Sequence, residues 1–206
     1  MGRVSAFHWL LLASFLAILT WSGIGPRDRF VWYLEVAPAV IGALALAALY
    51  PRFRFTDLVY TLIWMHAVVL MVGGHYTYAE MPLFNWLRDA LHLDRNYYDR
   101  LGHFFQGFVP AMIAREVLLR RSPLHSGKWL FFLVSCVALA ISAVYEFVEW
   151  WVAVATGEAA DAFLATQGDV WDTQWDMFLA LSGAVLAQLF LSRVHDRELA
   201  RMEAGG

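Results

Sequence analysis

Residues 129–145 read WLFFLVSCVALAISAVY and contain no aspartate, glutamate, lysine or arginine. Five further stretches without a charged residue span residues 4–26, 36–51, 58–79, 101–114 and 177–192. An α-helix needs about 20 residues to cross the roughly 30 Å of hydrocarbon in a bilayer, and the six stretches reach this length once their interfacial ends are included. The pattern predicts an all-α, polytopic membrane protein with a bundle of six transmembrane helices.

The composition of the 206-residue chain agrees with this class of protein. Hydrophobic residues make up 60% of the sequence and charged residues 16%, whereas a soluble globular domain carries about 25% charged residues. An ordinary soluble enzyme is therefore not expected. The formal net charge is −3 and the sequence has no basic block, so we expect no binding of nucleic acid.

Caps and helix breakers place the six helices at roughly residues 5–24, 31–50, 57–75, 98–119, 129–156 and 172–192. Gly73 and Gly74 are expected to close the third helix. The longest connection, residues 76–97, mixes apolar and charged residues, which predicts a short interfacial helix. The sequence has no internal repeat and no linker, so we expect residues 1–206 to form a single integral membrane domain.

The distribution of charge orients the predicted bundle. If both termini are cytoplasmic, ten of the 15 basic residues lie on the inner side and 13 of the 18 acidic residues on the outer side. Because basic residues collect on the cytoplasmic side of inner-membrane proteins, we expect an N-in, C-in topology.

Three polar segments mark the outer ends of the last three predicted helices: residues 98–103 (YDRLGH), 145–150 (YEFVEW) and 168–176 (GDVWDTQWD). Side chains three or four residues apart share one helical face. Each segment contains such a pair of candidate ligands: Asp99 with His103, Glu146 with Glu149, and Asp172 with Asp176.

These pairs are expected at one depth. His103, Glu146 and Asp176 each lie 17 or 18 residues from the basic residue that marks the inner end of their helix, which corresponds to about 26 Å of helix axis. The pairs therefore lie near the outer edge of the hydrocarbon. His75, at the outer end of the third helix, falls at a similar height, and Asp169 lies one turn before Asp172.

Carboxylates gathered in one pocket need a compensating positive charge or a proton. Two carboxylates about 4 Å apart repel each other by ~4 kcal/mol at an effective dielectric constant of 20. Carboxylates combined with imidazole suit Zn²⁺, Mn²⁺ or Fe²⁺, so we expect one or two divalent transition-metal ions. The candidate ligands are Asp99, His103, Glu146, Glu149, Asp172, Asp176, His75 and Asp169.

Structural roles compete with metal binding. Arg100 could pair with Glu146 or Asp176 and simply order the outer helix ends. Asp169 could cap the last helix, and His75 could be an interfacial residue. Four further histidines are expected to be solvated near the membrane surfaces: His8, His92, His125 and His195.

The motifs YDRLGHFFQGF (residues 98–108), YEFVEWW (145–151) and QGDVWDTQWDM (167–177) are specific as a set. Together they resemble the YjdF-like family of bacterial inner-membrane proteins, a domain of unknown function. The similarity covers most of the chain from the second predicted helix onward. The resemblance implies a multi-pass protein of the bacterial inner (plasma) membrane, but it implies no reaction, so the site roles rest on spacing alone.

The leading functional hypothesis is a metal-dependent membrane enzyme whose site opens at the outer leaflet. Glu149 and Asp99 are the candidate catalytic residues, with Glu149 as general base. A site at headgroup depth favours a lipid or lipid-linked substrate, and hydrolysis is the simplest reaction for such a centre. Three arginines could steer an anionic headgroup: Arg88, Arg95 and Arg100.

Two other hypotheses belong to different classes. In the first, the acidic cluster is the ion site of a cation or solute transporter. Transport needs ionisable residues through the full membrane thickness, and the inner halves of the last three helices offer little beyond Arg115 and Glu116. In the second, the protein is a non-catalytic membrane assembly factor that binds a structural ion.

Overall fold

The computed structural model describes residues 4–157 and 161–204, with the backbone alone at residues 161 and 162. Within these ranges the chain forms seven α-helices of ten or more residues, one single-turn helix and one 3-10 turn, and no β-strand. The elements are α1 (Ala6–Gly23), α2 (Arg29–Leu49), α3 (Asp57–Tyr76), the 3-10 turn (Tyr78–Glu80), α4 (Pro82–Leu91), α5 (Tyr98–Arg121), α6 (Lys128–Thr156), α7 (Asp161–Leu164) and α8 (Asp172–Ala204). The all-α prediction is confirmed.

Five of these helices are long and apolar enough to cross a membrane, namely α1, α2, α3, α6 and α8. The remaining long helix, α5, has 24 residues, which is about 36 Å at 1.5 Å per residue. Its first turn contains Asp99 and its last turn contains Arg120 and Arg121. This charge at both ends makes α5 more polar than the other five.

Most of the predicted boundaries lie close to the observed ones, with two corrections. The last helix continues well past residue 192 to Ala204. The third helix does not close at Gly73 and Gly74 but runs on to Tyr76. These glycines serve packing instead, because a Cβ at Gly73 would overlap the ring of Tyr78.

The connection after α3 contains the short helix that the sequence predicts. This helix, α4, has ten residues and leaves Leu83, Trp86 and Leu91 exposed. It ends at His92, whose backbone adopts the left-handed conformation (φ 53°). Exposed apolar side chains beside Arg88 and Asp89 give α4 the amphipathic character of a helix at a membrane surface.

The chain forms two compact units, which we describe separately. The first contains the described residues of Met1–Arg54, Trp64–Gly102 and Val148–Val170. The second contains the described residues of Phe55–Ile63, His103–Phe147 and Trp171–Gly206. The expectation of a single integral membrane domain stays a prediction.

The first unit has two apolar clusters. One is built from α1, α2 and α3 around Phe15, Val36 and Met71. In the other, Tyr78 and Tyr98 pack together with Ala165. The hydroxyl group of Tyr98 donates a hydrogen bond to the backbone carbonyl of Val69 over 2.8 Å, so the start of α5 is held firmly against α3.

The second unit depends on a close approach of α5 and α8. A Cβ at Gly107 would overlap the backbone carbonyl of Ala180, and a Cβ at Gly183 would overlap that of Phe104. Small residues at a helix interface allow such contact between backbones. One face of α8 is buried along its length and consists of Asp172, Asp176, Ala180, Gly183, Ala184, Ala187, Gln188 and His195. The small residues thus lie between ionisable residues at the two ends.

Candidate functional site

The candidate site in the second unit is centred on His103, which is 5% exposed. Its Nδ1 atom lies 2.9 Å from Oε1 of Gln106 and 3.7 Å from Oε1 of Glu146. Its Nε2 atom lies 3.8 Å from Oδ2 of Asp176. The two edges of one buried imidazole therefore face carboxylates from two other helices.

Helix packing explains why these three side chains meet. The glycine contacts between α5 and α8 bring His103 and Asp176 together near the start of both helices. On α6 the buried face includes Ser135, Ala138, Ser142 and finally Glu146. Each helix therefore buries one continuous face that ends in an ionisable group.

This arrangement brings two carboxyl groups and an imidazole together in a buried region. The side chains of His103, Glu146 and Asp176 are each at most 6% exposed. Buried carboxylates of this kind are paired, protonated or bound to a cation, because an uncompensated buried charge is very costly. One imidazole with flanking carboxylates is a donor set that Zn²⁺, Mn²⁺ and Fe²⁺ accept.

Asp99 lies one turn before His103 on α5, as the spacing predicts. It is 4% exposed, and its Oδ2 atom is 3.5 Å from a guanidinium nitrogen of Arg95. Part of the negative charge of Asp99 is therefore balanced within the first unit. Its assignment as a metal ligand and catalytic residue stays a prediction.

The remaining members of the predicted pairs differ in burial. Glu149 lies one turn beyond Glu146 on α6 and is half-buried. Asp172 lies one turn before Asp176 on α8 and is 7% exposed. Each helix thus carries its predicted pair, and Glu149 is the partly exposed member.

Asp169 belongs to an ion-pair group in the first unit. Its Oδ2 atom accepts a hydrogen bond from Arg100 over 2.9 Å and lies 3.7 Å from Arg95. Arg95 also donates to the backbone carbonyl of Ala165 over 2.9 Å. Asp169 lies three residues before the start of α8. Its carboxylate forms ion pairs with Arg95 and Arg100, where the sequence also allowed a helix cap.

His75 packs the end of α3 against α1. Its Nδ1 atom is 3.0 Å from the backbone carbonyl of Ser22, and its ring stacks on Trp21 with centroids 4.5 Å apart. Among the residues that the structure describes, the clusters with metal-binding geometry include none of His75, Asp169 and Asp172. These three predicted ligands therefore lie outside the clusters with metal-binding geometry.

A second buried polar network, missed in the sequence, lies at the other end of α5 and α8 in the same unit. Glu116 is fully buried and accepts hydrogen bonds from the backbone N–H and hydroxyl groups of Thr56, at 3.1 and 2.8 Å. It also accepts from Arg120 over 2.7 Å and lies 2.9 Å from Nε2 of His195. The N-terminus of α3 is therefore anchored to α5.

His195 joins this network in a defined protonation state. Arg115 donates to its Nδ1 atom over 2.6 Å and to Asp196 over 2.7 Å. Because a guanidinium group only donates, Nδ1 must accept, so the ring is neutral and carries its proton on Nε2 toward Glu116. His195 is 0% exposed, and the prediction that it is solvated is wrong.

Arg115 and Glu116 are the two polar residues that the sequence singles out in the inner helix halves, and the structure joins His195 to them. Glu116 and His195 are 79 residues apart in the chain. No local pattern brings residues so far apart together, so the sequence indicates Arg115 and Glu116 but not their contact with His195.

Comparison with known proteins agrees with the helical architecture. A family model described as "Predicted membrane protein (DUF2238)" matches residues 7–197. "Inner membrane protein YjdF" of Escherichia coli (strain K12) is 53% identical over 184 residues, which cover 89% of this chain and 88% of that protein. No solved structure matches the chain. These matches confirm the resemblance seen in the motifs, and the chain is a multi-pass protein of the bacterial inner membrane that belongs to the DUF2238 family.

Proposed function

We propose that this protein is a metal-dependent membrane enzyme, a hydrolase that acts on a lipid or lipid-linked substrate at the level of the outer leaflet. The observation that carries the proposal is the buried imidazole of His103 between the carboxylates of Glu146 and Asp176. Ionisable groups inside a membrane protein are costly and mostly functional.

The proposal includes six membrane spans with both termini in the cytoplasm. Helix α5 is the sixth span, and its length of 24 residues is sufficient. Arg120 and Arg121 end α5, and Lys128 starts α6. This basic connection belongs on the cytoplasmic side by the positive-inside rule, which places the His103 end of α5 toward the outside.

One or two divalent ions, Zn²⁺, Mn²⁺ or Fe²⁺, would be held by His103, Asp176 and Glu146, with Asp99, Glu149 and Asp172 on the same helices as further candidates. A metal ion in such a site lowers the pKa of bound water or polarises a phosphoryl or carbonyl oxygen. Glu149 is half-buried, so it can exchange protons with solvent and suits the role of general base.

A lipid substrate follows from the proposed depth of the site. Of the three arginines considered for headgroup binding, Arg95 and Arg100 are buried and form ion pairs with Asp99 and Asp169. Arg88 lies on the amphipathic helix α4 with its side chain 37% exposed. Arg88 is therefore the better candidate for contact with an anionic headgroup.

Elemental analysis of the detergent-purified protein tests the proposal. We expect one or two equivalents of transition metal in the native protein and loss of that metal in His103→Ala and Asp176→Asn. Asp89→Asn is the matched control, because Asp89 is an exposed acid with a side chain 68% accessible. Native protein that folds fully and is active in cells without bound metal would contradict the proposal.

A cation transporter is the second candidate, and the buried network around Glu116 and His195 favours it. The second unit has ionisable groups at both ends of α5, about 20 Å apart by helix rise. Between them Gln188 donates to Ser135 over 3.0 Å, and both side chains are buried. Metal-dependent cation flux in proteoliposomes, lost in Asp176→Asn, would favour transport over hydrolysis.

A further inference from the structure

Ser142 lies on the buried face of α6, one turn before Glu146. Its side chain is 0% exposed, and among the residues that the structure describes its Oγ atom has no hydrogen-bond partner. Ser135, two turns earlier on the same face, differs in this respect. It donates to the carbonyl of Phe131 over 2.9 Å and accepts from Gln188 over 3.0 Å.

A buried hydroxyl group of this kind indicates a bound molecule. Serines inside α-helices commonly donate to the carbonyl one turn back, as Ser135 does. A buried hydroxyl group that does not do so loses its hydration without a replacement, which is costly. Native proteins mostly satisfy such groups with an ordered water molecule that makes about three hydrogen bonds.

The carboxyl group of Glu146 is the natural second partner for this water. Residues four apart on a helix have Cβ atoms about 5–6 Å apart, and helical side chains lean toward the N-terminus, which here is toward Ser142. Because Ser142 has no direct partner in the described part of the chain, a water molecule fits between the two groups. A carbonyl oxygen of the same turn has a second lone pair for a third hydrogen bond.

We infer that a buried water molecule bridges Ser142 and Glu146, and that Ser142 is a positioning residue that orients the carboxyl group of Glu146 toward His103. Oε1 of Glu146 lies 3.7 Å from Nδ1 of His103, so a rotation of this carboxyl group alters the candidate metal site directly. The inference rests on the proposed function where it concerns metal binding. The water bridge itself does not depend on a metal.

The first experiment measures the Zn²⁺ affinity of the full-length protein in detergent by competition with a chelator. Ser142→Ala is expected to weaken binding by about 10- to 100-fold, the usual effect of losing a group that orients a metal ligand. Ser142→Cys keeps a weak donor and is expected to lie between Ser142→Ala and the native protein. Ser182→Ala is the matched control, because the hydroxyl group of Ser182 donates to the carbonyl of Phe178 on its own helix.

Thermal unfolding of the metal-free protein gives a second readout, and its sign is decisive. Removal of a buried hydroxyl group that binds nothing raises the melting temperature, because the cost of its desolvation disappears. Removal of one that holds a bridging water lowers it, so we expect Ser142→Ala to melt about 2–4 °C below the native protein.

A double-mutant cycle tests whether Glu146 is the second partner. In a Glu146→Ala background the bridge is already lost, so Ser142→Ala is expected to have little further effect. Ser182→Ala is expected to change the melting temperature equally in both backgrounds.

The outcomes separate the inference from the proposed function. If native protein binds no metal but Ser142→Ala lowers the melting temperature only in the presence of Glu146, the water bridge stands and the proposed function fails. If native protein binds Zn²⁺ and Ser142→Ala binds it equally well, the positioning role of Ser142 is overturned. If Ser142→Ala melts above the native protein, or loses the same amount in both backgrounds, the water bridge is overturned, although the metal proposal stands.

Discussion

Two buried histidines in the second compact unit have opposite ring chemistry. Nδ1 of His103 faces the acceptors of Gln106 and Glu146, whereas Nδ1 of His195 faces the donor of Arg115. The other ring nitrogen of His103 lies 3.8 Å from the carboxylate of Asp176, and His195 uses its Nε2–H group for Glu116. At the residue scale, neighbours and not residue type distinguish a candidate metal ligand from a structural histidine.

Glu116 is expected to be essential for stability. Its carboxylate accepts hydrogen bonds from Thr56, His195 and Arg120. Glu116→Ala therefore leaves several buried donors and charges without their acceptor. Loss of one partner in such a buried network costs about 3–5 kcal/mol. Thermal unfolding in detergent measures the loss.

Glu203→Ala is the control for this variant, since Glu203 is exposed in the last turn of α8. Equal melting temperatures for Glu116→Ala and Glu203→Ala would show that the network adds no stability. Glu116→Gln, which keeps an acceptor for Thr56, is expected to lie between the native protein and Glu116→Ala.

At the scale of elements, the contact between α5 and α8 determines the geometry of the candidate site. Gly107 and Gly183 let the two backbones touch at Ala180 and Phe104. His103 lies one turn before Gly107, and Asp176 lies two turns before Gly183. A change in helix separation at the glycines therefore also changes the distance between His103 and Asp176.

Gly183→Ala is expected to push α8 away from α5, because its Cβ would overlap backbone atoms. Overpacking of this kind costs about 1–3 kcal/mol, and we expect a lower melting temperature together with reduced metal content. Gly42→Ala on α2 is the control, because a Cβ there meets no atom within 4 Å. A Gly183→Ala protein with native stability and metal content would disprove the role of this contact.

At the scale of the whole molecule, the number of spans depends on α5. Five helices satisfy the length and hydropathy of a membrane span, and α5 is more polar because it carries ionisable residues of both the candidate site and the network around Glu116. A polar helix can cross a membrane when other helices cover its charged groups. Asp99, His103, Arg115 and Glu116 are all buried.

Thiol labelling tests whether α5 crosses the membrane. Cys136 is the single cysteine, so Cys136→Ser provides a background for Asp94→Cys before α5 and Gly127→Cys after it, both at exposed positions. In intact spheroplasts, an impermeant maleimide is expected to label position 94 and not 127. Labelling of both or neither, with full labelling after permeabilisation, would mean that α5 does not cross.

Much of the architecture could be predicted because it depends on local composition. Apolar stretches located the long helices, and the i,i+3 and i,i+4 spacings placed ionisable pairs on single faces. Counting residues from the inner basic markers predicted that His103, Glu146 and Asp176 share one depth, and the structure brings these three side chains together.

The sequence by itself determined the helical class and the positions of the long helices, since these follow from hydrophobicity and helix rise along one segment. Only the tertiary structure decided which charges pair, such as Arg100 with Asp169 or Glu116 with His195. The physical reason is that these pairs depend on the rotation and separation of packed helices. Small residues such as Gly107 and Gly183 set that packing far from the charges themselves.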